Sequence, residues 1–482
     1  MQVEEEPTTK STRRYATSMI EFVEAKPNTA TRAERYAAGK ALRAKAPRTG
    51  HGEWTSAADR PDPISLLEES NRSRVQELVP IRYGRMSLSP FAFLRGSAIV
   101  MASDLAKTPI SGIRVQICGD AHLSNFGFYA TPERNLAFDV NDFDETLPGP
   151  WEWDLKRLAA SIAVAGRQNG YTAQENRQSV VSSIWEYRTL MQNMATMQVL
   201  PVWYLHLDMT EVMGMVKRKE REQLQRQEKK AVRSTSLRVF PKMTEKVNGQ
   251  YHIKDEPPLI VHVGNEGDIN GSQEYEAERI KDYFGAYVQT LPDNRRVLLS
   301  KYYFVDIARK VVGVGSVGTR TWVMLLMAGG DGDDPLFLQI KEADASVLEP
   351  YWGKSVYANH GERVVQGQRL MQEASDLFLG WIHDEQVDLY VRQLRDMKLS
   401  EDITTMTKSE FDQYAQWCAM ALARSHARCG DPAQISGYLG NSDLFDQAIA
   451  LFAEAYADQT ERDYTALVTA IKEGRIKAEV DV

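Results

Sequence analysis

The stretch ICGDAHLSNFGF, followed by LAFDVNDFDET, crowds Asp120, His122, Asn125, Asp139, Asn141, Asp142, Asp144 and Glu145 together with few cations to neutralise them. Phosphoryl transfer needs such a set: a carboxylate beside the acceptor hydroxyl and oxygen ligands for Mg²⁺. The spacing from Asp120 to Asn125, Asp-x-x-x-x-Asn, is that of a kinase catalytic loop, in which the Asp orients or deprotonates the acceptor and the Asn takes a metal. Asp139, closing the strand-like NLAFD, then bridges metal and phosphates. Asp142 is assigned to a second metal or, with Asp144, to orienting the loop. His122 is assigned to a hydrogen bond that orients Asp120. The competing use of the acidic residues is a solvated turn.

A second constellation lies far downstream. Gly313, Gly315 and Gly318 spell GxGxxG around Ser316, a pattern that by itself often does no more than turn. A dinucleotide-binding unit would pass from this loop into a helix, whereas TRTWVMLLMAG reads as a strand and a hairpin follows. Strand, glycine loop, strand, turn, strand is the order with which protein kinases cover nucleotide phosphates. The third strand, PLFLQIKEA, brings Lys341 near its end, where a compact ammonium suits the α and β phosphates. Glu349 or Glu362 is the expected carboxylate partner of that lysine.

The motifs GDAHLSNFG, LAFDVNDFDE and WEWDLKRLA resemble the pattern GD-x-H-x-x-N, ID, DLA of aminoglycoside and choline phosphotransferases, a branch of the protein-kinase-like superfamily. The resemblance implies Asp120 as the catalytic Asp, Asn125 and Asp139 as metal ligands, and Asp154 as a structural aspartate near the loop. It departs at Cys118, where those enzymes commonly carry His. It departs also in order: their glycine loop and lysine precede the catalytic loop, whereas here Asp120 comes long before Gly313 and Lys341, which implies a circularly permuted core. Permutation is physically open because domain termini often lie close together. Over nearly its whole length the chain also resembles the bacterial family called domain of unknown function 2252, through SPFAFLRG, CGDAHLSNFG, NDFDETLPGPWEWDLKRLAAS, ARKVVGVGSVGTR and GYLG. That family brings no activity with it.

The elements that must hold these residues are legible from periodicity. Residues 1–60 are polar and read as an arm. Residues 61–235 read as a helical region carrying the acidic loop. There Ser89 caps a helix with Pro90 at its first position, and GIRVQICGD is a short strand leading into the loop. PWEWDLKRLAASIAVAGRQNG is an amphipathic helix from near Pro150 to near Gly170, and a longer helix around Ser179 to Met197 carries Met191, Met194 and Met197 as a core stripe. VKRKEREQLQRQEKKAVR reads as a solvated helix. Residues 236–300 read as linker and helix, with KDEPPLIVHVGNEGDINGSQ as the linker. Residues 301–398 read as the β-rich nucleotide-binding region, turning at GGDGDDP. Residues 399–482 read as helices that pack with the first helical region, Phe411, Tyr414, Trp417 and Leu422 sharing one face. The fold class is α+β, a kinase-like core in permuted order with additional helices.

The chain has 482 residues, 43% hydrophobic and 26% charged, which fits a globular protein of two or three domains. Its 58 basic and 66 acidic residues, a net charge of -8, argue against a surface built to meet nucleic acid or an anionic membrane. No apolar run approaches the roughly 20 residues that span a bilayer. Cys118, Cys418 and Cys429 supply no disulfide framework, so the expected location is the cytoplasm. The expected activity is transfer of the γ-phosphoryl group of ATP, with Mg²⁺, to a hydroxyl-bearing acceptor, either a small molecule or a protein. Three readings compete: a nucleotide-binding pseudokinase scaffold, an AMP transferase on the same fold, and a metal-dependent phosphoesterase built on Asp120 and His122, which needs further histidine-rich motifs. Cys118, His122, His426 and Cys429 are a conceivable zinc set. Arg82, Arg85 and Arg95 are candidates for an anionic substrate, with ion pairs in the fold as their expected use.

Overall fold

The computed structural model describes residues 29–480, apart from 217, 234, 263–281, 312, 330–333, 384–386, 395, 396, 398 and 400. The chain is α+β, with a helical body and a mainly antiparallel sheet region. Its site-bearing helices are α1 (Val79–Met86), α2 (Pro90–Gly96), α3 (Trp151–Gln168), α4 (Ala173–Thr196), α5 (His360–Met371), α6 (Lys408–Cys429) and α7 (Leu444–Lys472). Local chemistry starts several of them. Ser89 accepts the Ala92 N–H at 3.1 Å with Pro90 at the first helical position. Thr172 with Glu175, and Thr407 with Glu410, close capping boxes on α4 and α6, each satisfying donors that the first turn leaves without partners.

In α3 the structure departs from the amphipathic expectation. Every residue from Trp151 to Gly166 is buried, because α2, α4, α6 and α7 all pack around this helix. Its charged side chains are therefore inside and need partners. Glu152 accepts the Ser111 N–H at 2.6 Å, and Arg157 reaches Asp120 at 2.7 Å. Met191 and Met194 of α4 are buried, with Met197 packed at the margin. Phe411, Tyr414, Trp417 and Leu422 of α6 enter the same core.

Among the described residues the helical body also holds four short strands. β1 (Arg114–Ile117) pairs with β4 (Leu147–Pro150), and β2 (Phe126–Ala130) forms a hairpin with β3 (Leu136–Val140). Asp120, Asp142, Asp144 and Glu145 lie in the connections between them, and Asp139 lies within β3. The second region contains a hairpin, β5 (Thr244–Val247) with β6 (Gln250–Ile253), and a six-stranded antiparallel sheet. Its strands are β7 (Ile260–His262), β8 (Tyr302–Lys310), β9 (Thr321–Ala328), β10 (Asp334–Glu342), β11 (Gly380–His383) and β12 (Asp388–Gln393), in spatial order β11-β12-β10-β9-β8-β7. β8, β9 and β10 form a meander with the glycine segment between β8 and β9.

Two boundaries differ from the sequence reading. The residues 1–60 arm is described from residue 29, and there Arg32–Ala41 is a helix seated on Pro432–Leu439. Gly39 and Gly437 permit that approach: a Cβ on either would lie 1.9–2.0 Å from a carbonyl oxygen of the facing helix. The linker KDEPPLIVHVGNEGDINGSQ contains β7, which pairs with β8 at Ile260↔Lys310; its part from residue 263 onward lies outside the described residues. The turn GGDGDDP also lies largely outside them. Among the described residues no helix is long and apolar enough to cross a membrane.

Candidate active site

β1 delivers the chain to Cys118, Gly119 and Asp120, and α3 holds this loop from behind. The Asp154 carboxylate accepts both the Cys118 N–H at 2.8 Å and the Gly119 N–H at 2.9 Å. His426 of α6 stands 3.3 Å from the same carboxylate and 2.9 Å from the Tyr187 hydroxyl. Gly119 has φ +82, and a Cβ there would lie 2.3 Å from the Glu145 carbonyl oxygen. Only glycine tolerates both conditions.

Asp120 is half-buried. Arg157 donates to its Oδ1 at 2.7 Å, and His122 Nε2 lies 3.7 Å from its Oδ2. Burial raises the Asp120 pKa against the pull of Arg157. The same burial, with Arg95 and Arg157 nearby, pushes His122 well below its ordinary range, so its imidazole is neutral. Asn125 donates from Nδ2 to the Asp120 carbonyl at 2.8 Å, which leaves its Oδ1 as the atom able to take a cation. The Asn141 N–H reaches the Asn125 carbonyl at 2.8 Å and ties the end of β3 to the loop.

Beyond β3 the chain turns through Asp142, Asp144 and Glu145, and all three line one cavity with Asp120, His122 and Asn125. The cavity encloses about 970 Å³, part of it open to solvent. The Asp144 N–H closes on Asp142 Oδ1 at 3.2 Å. Burial pushes the Glu145 carboxyl up to about 7, opposed by Arg363 and by the Val347 N–H, 2.8 Å from Oε2. The far wall of the cavity is the glycine segment: Gly313, Val314, Gly315, Ser316 and Thr319. Two constellations far apart in sequence thus face each other.

The glycine segment is held from the helical body. Arg74 donates to the Val317 carbonyl and Arg85 to the Gly313 carbonyl, each at 2.6 Å, and the Val75 N–H reaches the Gly318 carbonyl at 2.8 Å. Gly318, at φ +88, makes the turn. Arg82 is buried and donates to Asn71 and to the Gly96 carbonyl. The expected ion pairs of Arg82 and Arg85 are therefore replaced by grips on backbone and amide oxygens. Arg95 lines the cavity, and its buried Nε has no hydrogen-bond partner among the described residues.

Three assigned residues stand elsewhere than expected. Asp139 does not line the cavity; it is buried within β3 and bonded to Arg424 of α6. Alternation along the strand aims it there, and the acidic residues that reach the cavity follow the strand's end. Lys341 bonds to Asp144 rather than to a glutamate, with the Tyr390 hydroxyl donating to the other Asp144 oxygen at 2.8 Å. The surroundings keep Asp144 ionised: burial raises its pKa, but Lys341, the Tyr390 hydroxyl and Arg392 together hold it below the ordinary carboxylate value. Glu349 instead faces His360 at 3.8 Å, and the Glu362 N–H is capped by Asn359. The inward residue of α5 is Arg363, which donates to the carbonyls of Asp144, Thr146 and Asp344, each at 2.8 Å. The cysteines and histidines of the conceivable zinc set do not converge.

Beside Arg424 lies Glu373, whose carboxyl burial pushes up to about 7 although Arg424 is 4.0 Å away. Its folded pKa exceeds the ordinary 4.5, so the native state binds the extra proton and stability falls as pH rises between those two values. Glu373→Gln is expected to add roughly 2–3 kcal/mol to the unfolding free energy near pH 8 and almost nothing near pH 4. Denaturant unfolding at both pH values checks this; an equal gain at both would contradict it.

Residues 74–470 match the family described as "Uncharacterized protein conserved in bacteria (DUF2252)". The chain belongs to this family. The match spans the acidic loop, the glycine segment and Lys341 together, and every residue lining the cavity except Ser70 lies inside the family domain. No curated protein and no solved structure matches the chain.

Proposed function

We propose that this DUF2252 protein transfers the γ-phosphoryl group of ATP, with Mg²⁺, to a hydroxyl-bearing acceptor. The observation that carries the reading is the closure of the glycine segment and the Asp120–Glu145 loops on one cavity. Asp120 is the base for the acceptor hydroxyl, and Asn125 and Asp142 are the metal ligands, Asp142 taking the place first given to Asp139. The donors fit Mg²⁺, a hard cation bound by one or two carboxylates together with substrate phosphates rather than by an all-protein cage. When bound, Mg²⁺ would neutralise charge on the transferring phosphates.

Lys341 acts through its face of β10. Gln339 shares that face, two residues away, and lines a neighbouring cavity of about 2030 Å³ with Asn141 and Arg392. We assign the phosphates to the first cavity and the adenine ring to the second. The phosphoesterase reading finds less support, because among the described residues His122 is the one histidine lining the first cavity, and a two-metal hydrolytic site gathers several.

Calorimetric titration with a non-hydrolysable ATP analogue tests the proposal. Wild type is expected to bind in a Mg²⁺-dependent way, and Lys341→Ala and Asp142→Asn to bind about tenfold or more weakly, the value of a lost charge-assisted hydrogen bond. Absence of binding by folded wild type would overturn the reading.

A further inference from the structure

A second cluster of chemistry-bearing side chains stands apart from the cavity. His252 of β6, His262 of β7 and Asp306 of β8 bring one ligand atom each within 4.8 Å of one another. His262 Nε2 lies 2.6 Å from Asp306 Oδ1, and His252 Nδ1 lies 3.7 Å from Oδ2. The two imidazole rings are 5.6 Å apart.

Three features separate this arrangement from an ordinary surface hydrogen bond. The Asp306 side chain is 6% exposed, and its ionic neighbours are the two histidines alone among the described residues. A buried carboxylate is normally paired with a full cation or bound to a metal. It is also held in place: the Ile253 N–H donates to Oδ2 at 2.6 Å, the kind of outer contact that orients a metal ligand. Finally, β8 is irregular between Phe304 and Asp306 in its pairing with β9, and such bulges re-aim side chains. The histidines are 32% and 23% exposed, so the open side faces solvent.

We propose that His252, His262 and Asp306 form a binding site for a zinc-class divalent cation, with water as the remaining ligand. Two imidazoles and a carboxylate suit zinc and its neighbours better than Mg²⁺ or Ca²⁺. In the metal-free protein one proton lies between His262 Nε2 and Asp306 Oδ1; the cation takes both lone pairs, and that proton moves to Nδ1 or to solvent. The three ligands come from three strands, so the ion staples the β5–β6 hairpin and β7 to β8. β8 is the strand that leads into the glycine segment.

The test uses the metal-stripped full chain, titrated with Zn²⁺ by calorimetry and with Co²⁺ by visible absorption. Wild type is expected to show saturable binding, a raised melting temperature and the absorption bands of Co²⁺ held by nitrogen and oxygen. His252→Ala and His262→Ala should each weaken Zn²⁺ binding by about 100-fold or more, since loss of even an outer-shell partner costs 10–100-fold. Asp142→Asn, which alters the candidate active site, should leave it unchanged. His252→Gln, at a partly exposed position, guards against a folding defect if its circular dichroism matches wild type. No saturable binding in wild type, or binding of unchanged affinity in both histidine variants, would overturn the site.

Discussion

Asp139→Ala is expected to lower the unfolding free energy by about 3–5 kcal/mol, the cost of removing one partner from a buried ion pair. Asp139 and Arg424 are 1% and 3% exposed, and the other acceptors near the guanidinium are the Met371 carbonyl at 3.2 Å, the Ser425 hydroxyl at 3.3 Å and the more distant Glu373 carboxylate at 4.0 Å. Only Glu373 can carry a charge, and burial pushes its carboxyl up to about 7. Without Asp139 the protein must bury Arg424 with that distant carboxylate as its counter-charge or open β3 to water. Asp139→Leu combined with Arg424→Met removes both charges and should recover most of the loss, because a well-packed apolar pair is often as stable as the ion pair it replaces. Denaturant unfolding of the two variants decides the matter. A metal ligand behaves differently: its loss leaves the metal-free protein as stable as before and reduces Mg²⁺-dependent binding. If Asp139→Ala unfolds like wild type, the structural role assigned here is wrong.

Asp120→Asn is expected to reduce turnover by roughly 10²–10⁴-fold, the range for loss of a general base, while affinity for the Mg²⁺–nucleotide analogue changes little. Asparagine keeps the shape and keeps an oxygen for Arg157 Nε, now 2.7 Å from Oδ1; what it loses is the ability to take the acceptor's proton. Turnover is followed as ADP release, with the separate appearance of pyrophosphate reporting AMP transfer. Release of ADP by wild type and its loss in the variant supports the kinase reading. Nucleotide binding without either product in both proteins would identify a scaffold, and undiminished turnover in the variant would remove Asp120 from the chemistry. His122, 3.7 Å from the Asp120 carboxylate, is made a weaker base by burial and two nearby guanidinium groups, which favours Asp120 in that role.

Much of this arrangement was legible from local sequence. Ser89 with Pro90 declares a helix start, and the alternation around PLFLQIKEA declares a strand with Lys341 near its end, because capping and periodicity depend on residues only a few positions apart. The order of strand, glycine segment, strand, turn and strand was legible for the same reason, and the structure shows it as the β8–β9–β10 meander. So was the clustering of Asp120, Asn125, Asp142 and Glu145, which share one short stretch.

Contacts between distant segments were not legible in that way. The direction of Asp139 depends on how β3 meets α6, a contact across more than half the chain. Lys341 meets Asp144, rather than the nearby Glu349, because β10 packs over the acidic turn. A guanidinium that grips the glycine segment, as Arg85 does, reads in sequence like any surface arginine. His252 falls beside an apparent linker, His262 within it and Asp306 beyond it; the packing of β6 on β8 and the pairing of β7 with β8 bring them together. Sequence by itself determined most of the helices and strands and the clustering of the acidic residues in one short stretch, because those properties are set within a few residues. Tertiary structure alone decided which side chains meet, since each such meeting is a balance of burial and charge between surfaces that the chain brings together only when it folds.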